Sequence, residues 1–262
     1  MKEIISEIDA VLAAFKPITL AEMSSIKLMN RIDSKYMINI SQLPTLLEQA
    51  KEDYFAQEID GLRRAFYHTV YYDTPDAEMF VVHHNKKLTR QKIRIREYVE
   101  SNQCFLEIKN KNNKGQTRKI RIPVEDENVL DKVEAIEFLN EKSNYQIEHL
   151  NQRLNNNFFR ITLVNKEKTE RLTIDTDISF SNCITRIENQ LSDLCIIEVK
   201  QEGDVYSPFK DYLADLRIRK RSISKYCLGM VLTDSSLKAN NFKRKLIYIH
   251  KLLNHGIINR PE

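Results

Sequence analysis

Residues 90–98, RQKIRIREY, place four cations on one face of a predicted strand. In an extended segment the side chains alternate between two faces, so every second residue points the same way. The residues that share the charged face are Arg90, Lys92, Arg94 and Arg96. Neighbours on that face lie roughly 7 Å apart, and each adjacent pair repels by about 2 kcal/mol if the effective dielectric constant is about 20. A face with this much repulsion predicts an anionic ligand.

The same alternation of charged and apolar residues recurs in five further segments. They are 31–38, 105–109, 118–122, 171–178 and 196–200. Together with Arg160, the cations on these faces are Arg31, Lys35, Lys109, Lys119, Arg121, Arg171 and Lys200, and the carboxylates are Asp33, Glu107, Asp175, Asp177 and Glu198. A single strand with a charged outer face is ordinary at a protein surface. Six of them, with cations in excess of carboxylates, favour one shared basic surface.

Closing such a sheet on itself would turn the charges toward a wet interior and leave the apolar face for helices to cover. Antiparallel closure also removes the exposed sheet edges. We therefore predict an α+β fold in which a closed antiparallel β-barrel forms a tunnel and helices pack around the outside. A thin chain of phosphates suits a basic tunnel, whereas a nucleic acid duplex is too wide to enter it. Glu198, with Glu107 or Asp175, could hold Mg²⁺ or Mn²⁺ against phosphate oxygens.

The rest of the chain is interpreted as part of the same domain. Its apolar spacing predicts helices at 3–15 and 41–53, two within 125–156, and others at 209–220, 224–233 and 237–255. Strands are predicted at 28–40, 65–74, 91–99, 104–111, 117–124, 158–166, 170–180 and 194–200. No Pro/Gly-rich linker divides the 262 residues, so we expect one tunnel domain over 1–262, with its core at about 25–235 and a C-terminal helix at 236–262.

Composition indicates a cytoplasmic, soluble protein. The N-terminal segment MKEIISEIDAVLAAFK carries acids where a signal peptide needs an apolar run, and no stretch approaches the ~18 apolar residues of a membrane span. The four cysteines form no CxxC pair, so neither a zinc site nor a disulfide partner is expected. The formal net charge of +4 is compatible with an anionic partner but does not identify that partner.

Seven short motifs carry a resemblance to a known family. They are RIDSKY, YYDT, KIRIREY, FLEIK, RLTID, IIEVK and SISKY, spread in this order over roughly residues 25–235. This series resembles the VTC domain, the polyphosphate polymerase module of the vacuolar transporter chaperone complex and of bacterial single-domain relatives. That family belongs to the CYTH-like triphosphate tunnel metalloenzymes. The resemblance thus implies the same tunnel fold as the charged faces do.

The resemblance also implies an activity and residues for it. A metal-dependent phosphotransferase of this kind moves the γ-phosphate of ATP onto inorganic polyphosphate, releases ADP and uses Mn²⁺ or Mg²⁺. Carried over by motif, the catalytic residues are Lys35, Arg94, Arg96, Lys109 and Glu198, with Glu198 as the metal ligand and Glu107 as a possible second one. The wider phosphate-binding set is Arg31, Arg90, Lys92, Lys119, Arg121, Arg160, Arg171, Lys200, Ser224 and Lys225. The end of the phosphate chain attacks, so no protein nucleophile is implied.

The sequence also departs from the family. Asp33 stands where the family often has Glu, and Phe158 replaces a Tyr near Arg160. We expect neither the phosphate-binding SPX domain nor the membrane helices of the eukaryotic form, so export of a product would need a separate membrane protein. The pair His83 and His84 is interpreted as loop or surface rather than as a metal site.

Two alternative functions stay open. With water as the acceptor, the same tunnel would be a metal-dependent tripolyphosphatase or nucleoside triphosphatase. Relatives of that kind usually have a paired ExExK motif, whereas RIDSK has one acid. A non-catalytic module that binds polyphosphate is the other alternative, although a pure anion binder has no need of Glu198 among its cations.

Overall fold

The computed structural model describes residues 1–24, 26 and 31–253, apart from the side chains of Ser24 and Arg31. Within this part the helices are α1 (Lys2–Ala13), α2 (Leu20–Ser24), α3 (Leu43–Ala50), α4 (Glu78–His84), α5 (Val133–Lys142), α6 (Pro208–Asp215), α7 (Lys225–Thr233) and α8 (Lys243–Leu252). The strands are β1 (Lys16–Ile18), β2 (Arg31–Asn39), β3 (Tyr54–Gln57), β4 (Ala65–Asp73), β5 (Arg90–Tyr98), β6 (Gln103–Lys111), β7 (Thr117–Val124), β8 (Asn151–Asn165), β9 (Glu170–Asn182), β10 (Glu188–Leu191) and β11 (Leu194–Glu202). Residues 28–30 of the strand predicted at 28–40, and the chain after 253, lie outside the described residues.

One large, mostly antiparallel sheet organises these elements. Its main path runs β2-β11-β9-β8-β4-β5-β6-β7, while β10 adds to β9, β3 adds to β8, and β1 pairs with β3 in parallel. The α+β class and the antiparallel sheet are therefore confirmed. Among the described residues no pairing joins β2 to β7, so a hydrogen-bonded closed barrel stays a prediction. The Arg221 N–H donates to the Lys35 carbonyl at 2.7 Å, so the segment before α7 runs along the outer edge of β2.

The apolar faces of the strands lie under helices, as the alternation predicts. Ile93 and Ile95 of β5 share a buried cluster with Leu106 and Ile108 of β6 and with Leu139 of α5. A second buried cluster joins the outward faces of β2, β8, β9 and β11 to the apolar faces of α1, α3 and α6. Burial of this apolar surface, worth roughly 25 cal/mol per Å², holds the charged faces on the opposite side of the sheet.

Helix α7 packs against the inner side of the sheet at one end. Its residues share a buried cluster with Leu154 and Phe158 of β8 and with Phe180 of β9. A Cβ atom at Gly229 would lie 2.5 Å from both Leu154 Cδ2 and Phe180 Cδ1. The helix therefore approaches the two strands as closely as only a glycine allows.

Two corrections concern the ends of elements. Residues 151–156, predicted as the end of a helix, begin strand β8, where pairing with β4 and β9 outweighs the local helical spacing. The helix predicted at 209–220 ends at Asp215, and Arg217 adopts a left-handed φ of 57° that stops it. Strands β1, β3 and β10 and helices α2 and α4 were not predicted. None of the described helices is long and apolar enough to cross a bilayer.

Candidate functional site

A large cavity of about 1240 Å³ lies against the charged faces of the sheet. The cations on its wall are Lys35, Arg90, Lys92, Arg94, Arg96, Lys109, Lys111, Lys119, Arg121, Arg160, Arg171, Lys200, Lys220, Arg221, Lys225 and Lys245. Only four carboxylates join them in the described wall, namely Asp33, Glu100, Asp175 and Glu198. Every cation of the predicted site thus lies on this wall except Arg31, whose side chain is outside the described part.

Glu107 lies behind the cavity wall and forms ion pairs with two of these cations. Its carboxylate is fully buried, accepts from Arg94 Nε at 2.8 Å and accepts from Lys119 Nζ at 2.8 Å. Burial alone would raise the pKa of Glu107, but the charges of Arg94, Arg96 and Lys119 together outweigh burial, and the pKa lies well below its usual range. Because both oxygens are engaged, the geometry favours a structural role for Glu107 over the predicted role as a second metal ligand.

Asp175 has a similar role on the other side of the cavity. It accepts from Arg160 Nε at 2.6 Å and Nη2 at 2.8 Å, and it also pairs with Lys225 at the start of α7. Burial would raise the pKa of Asp175, but Arg160 and Lys225 lower it well below its usual range. This pairing orients two cavity cations and ties α7 to the sheet.

Asp177, predicted on the same charged face, leaves that face. It adopts a left-handed φ of 48°, and its carboxylate accepts from Gln190 and Ser192 instead. The irregularity lets the next part of β9 turn apolar residues toward α7.

Aromatic rings support the guanidinium and ammonium groups. The ring of Phe158 lies 3.3 Å from Lys225 Nζ, 5.4 Å from the Arg96 guanidinium and 5.2 Å from that of Arg160. The substitution of Tyr by Phe at this position therefore keeps a ring face for the cations and loses only the hydroxyl. Tyr67 and Tyr71 of β4 belong to the buried cluster around α7 and also line the cavity.

Glu198 differs from the other inner carboxylates. Its oxygens lie 3.7 Å from Lys35 Nζ and 3.9 Å from Lys200 Nζ, beyond ordinary hydrogen-bond distance. Burial would raise its pKa, but the nearby ammonium groups, led by Lys200, hold the pKa well below its usual range. Glu198 therefore presents an ionised carboxylate to the cavity.

A divalent metal fits this carboxylate when phosphates supply the other ligands. Mg²⁺ in particular is often bound by one or two carboxylates together with phosphate oxygens. No cluster of three or more His, Cys, Asp or Glu side chains that could hold a metal occurs in the described residues. A metal here would therefore depend on the anionic substrate as well as on Glu198.

Two of the sequence motifs meet at the base of α7. Ser224 accepts a hydrogen bond from Lys92 Nζ at 2.7 Å and caps the helix through the Cys227 N–H. The Tyr226 hydroxyl donates to buried Asp73, which also accepts two N–H groups at the start of α4. SISKY and YYDT therefore fix the position from which Ser224 and Lys225 reach the cavity.

The histidine pair is not on a loop or surface as predicted. Both residues end α4; His84 is buried near Phe80 and Phe242, while His83 lines the cavity. Lys111, Lys220, Arg221 and Lys245 are further wall residues that the sequence analysis missed. Lys111 continues the alternation of β6 by one step and could have been included, whereas the others reach the cavity through tertiary packing.

Comparison with known proteins identifies the family. Residues 30–233 match the VTC domain. The chain belongs to the VTC domain family. The resemblance inferred from the seven motifs is confirmed by this match, which covers all of them. Among curated proteins no match was found.

Solved structures with a similar fold have distant sequences. A candidate adenylate cyclase from Bacillus halodurans is 15% identical, with a TM-score of 0.50 over 75% of this chain and 96% of the other. A candidate adenylyl cyclase from Hippeastrum, described as having a dominant triphosphatase activity, is 14% identical with a TM-score of 0.47, covering 80% of this chain and 98% of the other. At such identities the likeness of the first structure supports the fold alone.

Four lysines of this VTC domain, Lys92, Lys109, Lys225 and Lys245, have lowered pKa values. The charge of Arg94 and then burial lower the pKa of Lys109 far below its ordinary value of 10.5. Burial lowers the pKa of Lys225 and of Lys92. The cavity is therefore short of negative charge, and an anion bound in it will raise these pKa values.

Phosphate binding is expected to be accompanied by proton uptake. In the window between the lowered pKa of Lys109 and its raised value in the complex, each binding event protonates part of the lysine population, so affinity falls as pH rises. Calorimetric titration with tripolyphosphate in two buffers of different ionisation enthalpy measures this uptake. Lys109→Arg, which keeps the charge and does not titrate, should reduce the uptake, whereas Lys132→Arg on an exposed site should not. Equal heats in both buffers for the wild-type protein would contradict the expectation.

Proposed function

We propose that this VTC domain is a metal-dependent polyphosphate polymerase that transfers the γ-phosphate of ATP to inorganic polyphosphate and releases ADP. The observation that carries the proposal is the position of the Glu198 carboxylate, which lies 3.7 Å from Lys35 Nζ and 3.9 Å from Lys200 Nζ, with no closer contact to a cation in the described part of the cavity wall. A binding site for phosphates alone would gain affinity by losing this carboxylate. A phosphotransferase needs it to hold a metal ion.

The cations of the wall would position the reactants. Arg94 and Arg96 are 5% exposed, and each lies near a tyrosine ring, so little side-chain freedom remains to be lost when they bind phosphate oxygens. Lys35 and Lys109 supply point charges for non-bridging oxygens. Fixed charges of this kind stabilise the transferring group without reorganisation, which is the main contribution a protein makes to phosphoryl transfer.

Glu198 would hold Mn²⁺ or Mg²⁺ together with phosphate oxygens. When bound, the metal would offset negative charge on the triphosphate. In the reaction, a terminal oxygen of the phosphate chain forms a bond to the γ-phosphorus as the bond to the β-phosphate oxygen breaks. ADP carries away the electron pair of that bond, and the chain becomes one phosphate longer.

Hydrolysis is the second candidate, and one observation favours it. Strand β7 is an edge of the sheet, and its Lys119 side chain is 38% exposed although it lines the cavity. Water that enters along this edge would compete with the phosphate chain as the acceptor. The same site would then be a tripolyphosphatase or nucleoside triphosphatase.

Incubation of the purified protein with ATP and Mn²⁺, with and without a tripolyphosphate primer, separates these functions. A polymerase gives a ladder of phosphate chains with one ADP for each phosphate added. Orthophosphate without longer chains would support the hydrolase and overturn the polymerase. Tight polyphosphate binding without turnover would exclude both enzymes and support the non-catalytic binding module.

A further inference from the structure

Basic residues are concentrated in the last part of the described chain. Residues 1–215 contain 30 Lys or Arg and 35 Asp or Glu, so acids outnumber cations there. Residues 216–253 contain ten Lys or Arg and one acid, Asp234. Asp234 is only 6% exposed, and its Oδ2 lies 4.0 Å from Arg153 Nη2, so it does not offset charge at the surface. Such an asymmetry indicates an anionic partner for the surface that residues 216–253 form.

The cavity explains fewer than half of these ten cations. Four of them line its wall, as described above. The other six are exposed, namely Arg217, Arg219, Lys238, Lys243, Arg244 and Lys251. Three of the six belong to helix α8. The part of this basic surface that has a defined shape is therefore the exposed side of that helix.

Helix α8 presents a cationic face to the outside. Lys243, Arg244, Ile247 and Lys251 are exposed, and Ile247 lies three or four residues from each of the others, so the four share one side of the helix. They are called here the outer face of α8. Ile247, at its centre, is 45% exposed. Ile249 on the opposite side packs into the buried cluster around α7, which leaves the outer face free of the core.

The charges of this helix work against its own stability. Lys243, Arg244 and Lys245 occupy the first turn of α8, where the positive end of the helix dipole disfavours cations. None of the ten residues of α8 is an acid, so the helix does not offset these charges itself. Lys245 lines the cavity and would be matched by the anion bound there. Lys243 and Arg244 point elsewhere and need a second anionic partner.

Contacts with neighbouring elements hold α8 in place beside the cavity. The Arg221 guanidinium lies 3.7 Å from the centroid of the Tyr248 ring, and Asn39 Nδ2 donates to the Leu252 carbonyl at 3.2 Å. Arg221 is exposed and also lines the cavity. The outer face of α8 is therefore carried by the rigid domain and lies close to the cavity wall.

We propose that the outer face of α8 docks this domain on a bilayer surface that contains anionic lipids. Dispersed cations around one protruding apolar side chain suit a bilayer, because the cations meet lipid headgroups while Ile247 enters the boundary of the acyl chains. A stable protein interface would need a larger apolar centre than one isoleucine. The proposal is independent of the polymerase function, because it concerns residues outside the cavity wall.

Sedimentation with lipid vesicles tests the docking. Tripolyphosphate is added to fill the cavity, so that only the outside of the protein is available. The wild-type protein should bind vesicles of phosphatidylcholine mixed with phosphatidylserine, should bind pure phosphatidylcholine much more weakly, and should be released by salt. Lys243→Gln combined with Arg244→Gln and Lys251→Gln should weaken binding to the anionic vesicles about 100-fold, since each cation at an anionic bilayer contributes about fivefold.

A matched control makes the same change in net charge at other exposed sites. It combines Lys2→Gln, Lys132→Gln and Lys166→Gln, and its binding to anionic vesicles should stay within about threefold of the wild-type protein. The variant of the outer face should keep the stability of the wild-type protein in urea, because its three substitutions lie on the exposed side of a helix. Its turnover with ATP in the absence of vesicles should also be unchanged, which separates docking from chemistry.

Several outcomes would overturn the docking. One is a wild-type protein that does not bind anionic vesicles, and another is equal binding by the wild-type protein and the variant of the outer face. Vesicle binding that tripolyphosphate abolishes would assign the charges to the phosphate site instead. Binding of poly-glutamate without binding of vesicles would indicate an acidic protein as the partner. Absence of a phosphate ladder with ATP would refute only the polymerase, because vesicle binding does not depend on turnover.

Discussion

Glu198→Gln is expected to lower turnover with ATP by about two to three orders of magnitude and, at the same time, to tighten metal-free binding of tripolyphosphate. Glutamine keeps the size of the side chain and removes its charge, so the variant loses the carboxylate for a metal while the cavity becomes more positive. Loss of an electrostatic contact to the transition state typically lowers kcat by about 10²–10³-fold. Phosphate affinity without metal should rise, since Lys35 and Lys200 no longer share their charge with Glu198.

Two opposite changes in one variant distinguish a metal ligand from a structural carboxylate. ADP release in the presence of Mn²⁺ measures turnover, and calorimetry with chelator present measures metal-free binding. Glu188→Gln, on an exposed strand position, makes the same chemical change and should leave both measurements as in the wild-type protein. Turnover that survives in Glu198→Gln would show that the carboxylate only balances its lysine neighbours.

The charged cavity wall follows from a local rule, which is why the sequence predicts it well. Alternation of side chains is a property of each strand's own backbone, so RQKIRIREY assigns its cations to one face before any partner strand is known. The helices that cover the opposite face follow because isoleucines and leucines there must leave water. Membership of the VTC domain family agrees with the order of the motifs.

The pairing of the carboxylates could not be predicted in this way. Glu107 and Glu198 both alternate with apolar residues and both face inward. The sequence pattern therefore does not show which of the two carboxylates is paired with a neighbouring cation. Strand register places Arg94 directly across from Glu107, whereas Lys35 and Thr173 lie across from Glu198. The register determines the distances between the side chains. Only these distances show that Glu107 is paired with its cations, whereas Glu198 faces the cavity.

Long-range packing also decided the elements that were wrong or missed. Residues 151–156 become strand because β4 and β9 pair with them. Lys245 and His83 reach the wall because α8 and α4 pack at the end of the sheet. None of these contacts leaves a periodic signal in the residues themselves.

Gly229→Ala is expected to destabilise the protein, although alanine is the better helix former. An added Cβ would lie 2.5 Å from Leu154 Cδ2 and from Phe180 Cδ1, closer than carbon atoms can approach. Those two side chains are 0% and 2% exposed and cannot swing into water. Overpacking of this kind costs typically about 1–3 kcal/mol, and a propensity gain of about 1 kcal/mol offsets only part of it.

Unfolding in urea gives the free energy of unfolding of each variant, and the expected net loss is up to about 2 kcal/mol. Leu154→Val shortens the side chain by one methylene and removes Cδ2 from the contact, so it should recover part of that loss when combined with Gly229→Ala. Alone it leaves a small cavity and is destabilising. An alanine variant as stable as the wild-type protein would mean that α7 can move away from β8 and β9. Such a movement would also displace Ser224 and Lys225, whose contacts with Lys92 and Asp175 depend on where the helix begins. Weaker tripolyphosphate binding without loss of stability would reveal that movement.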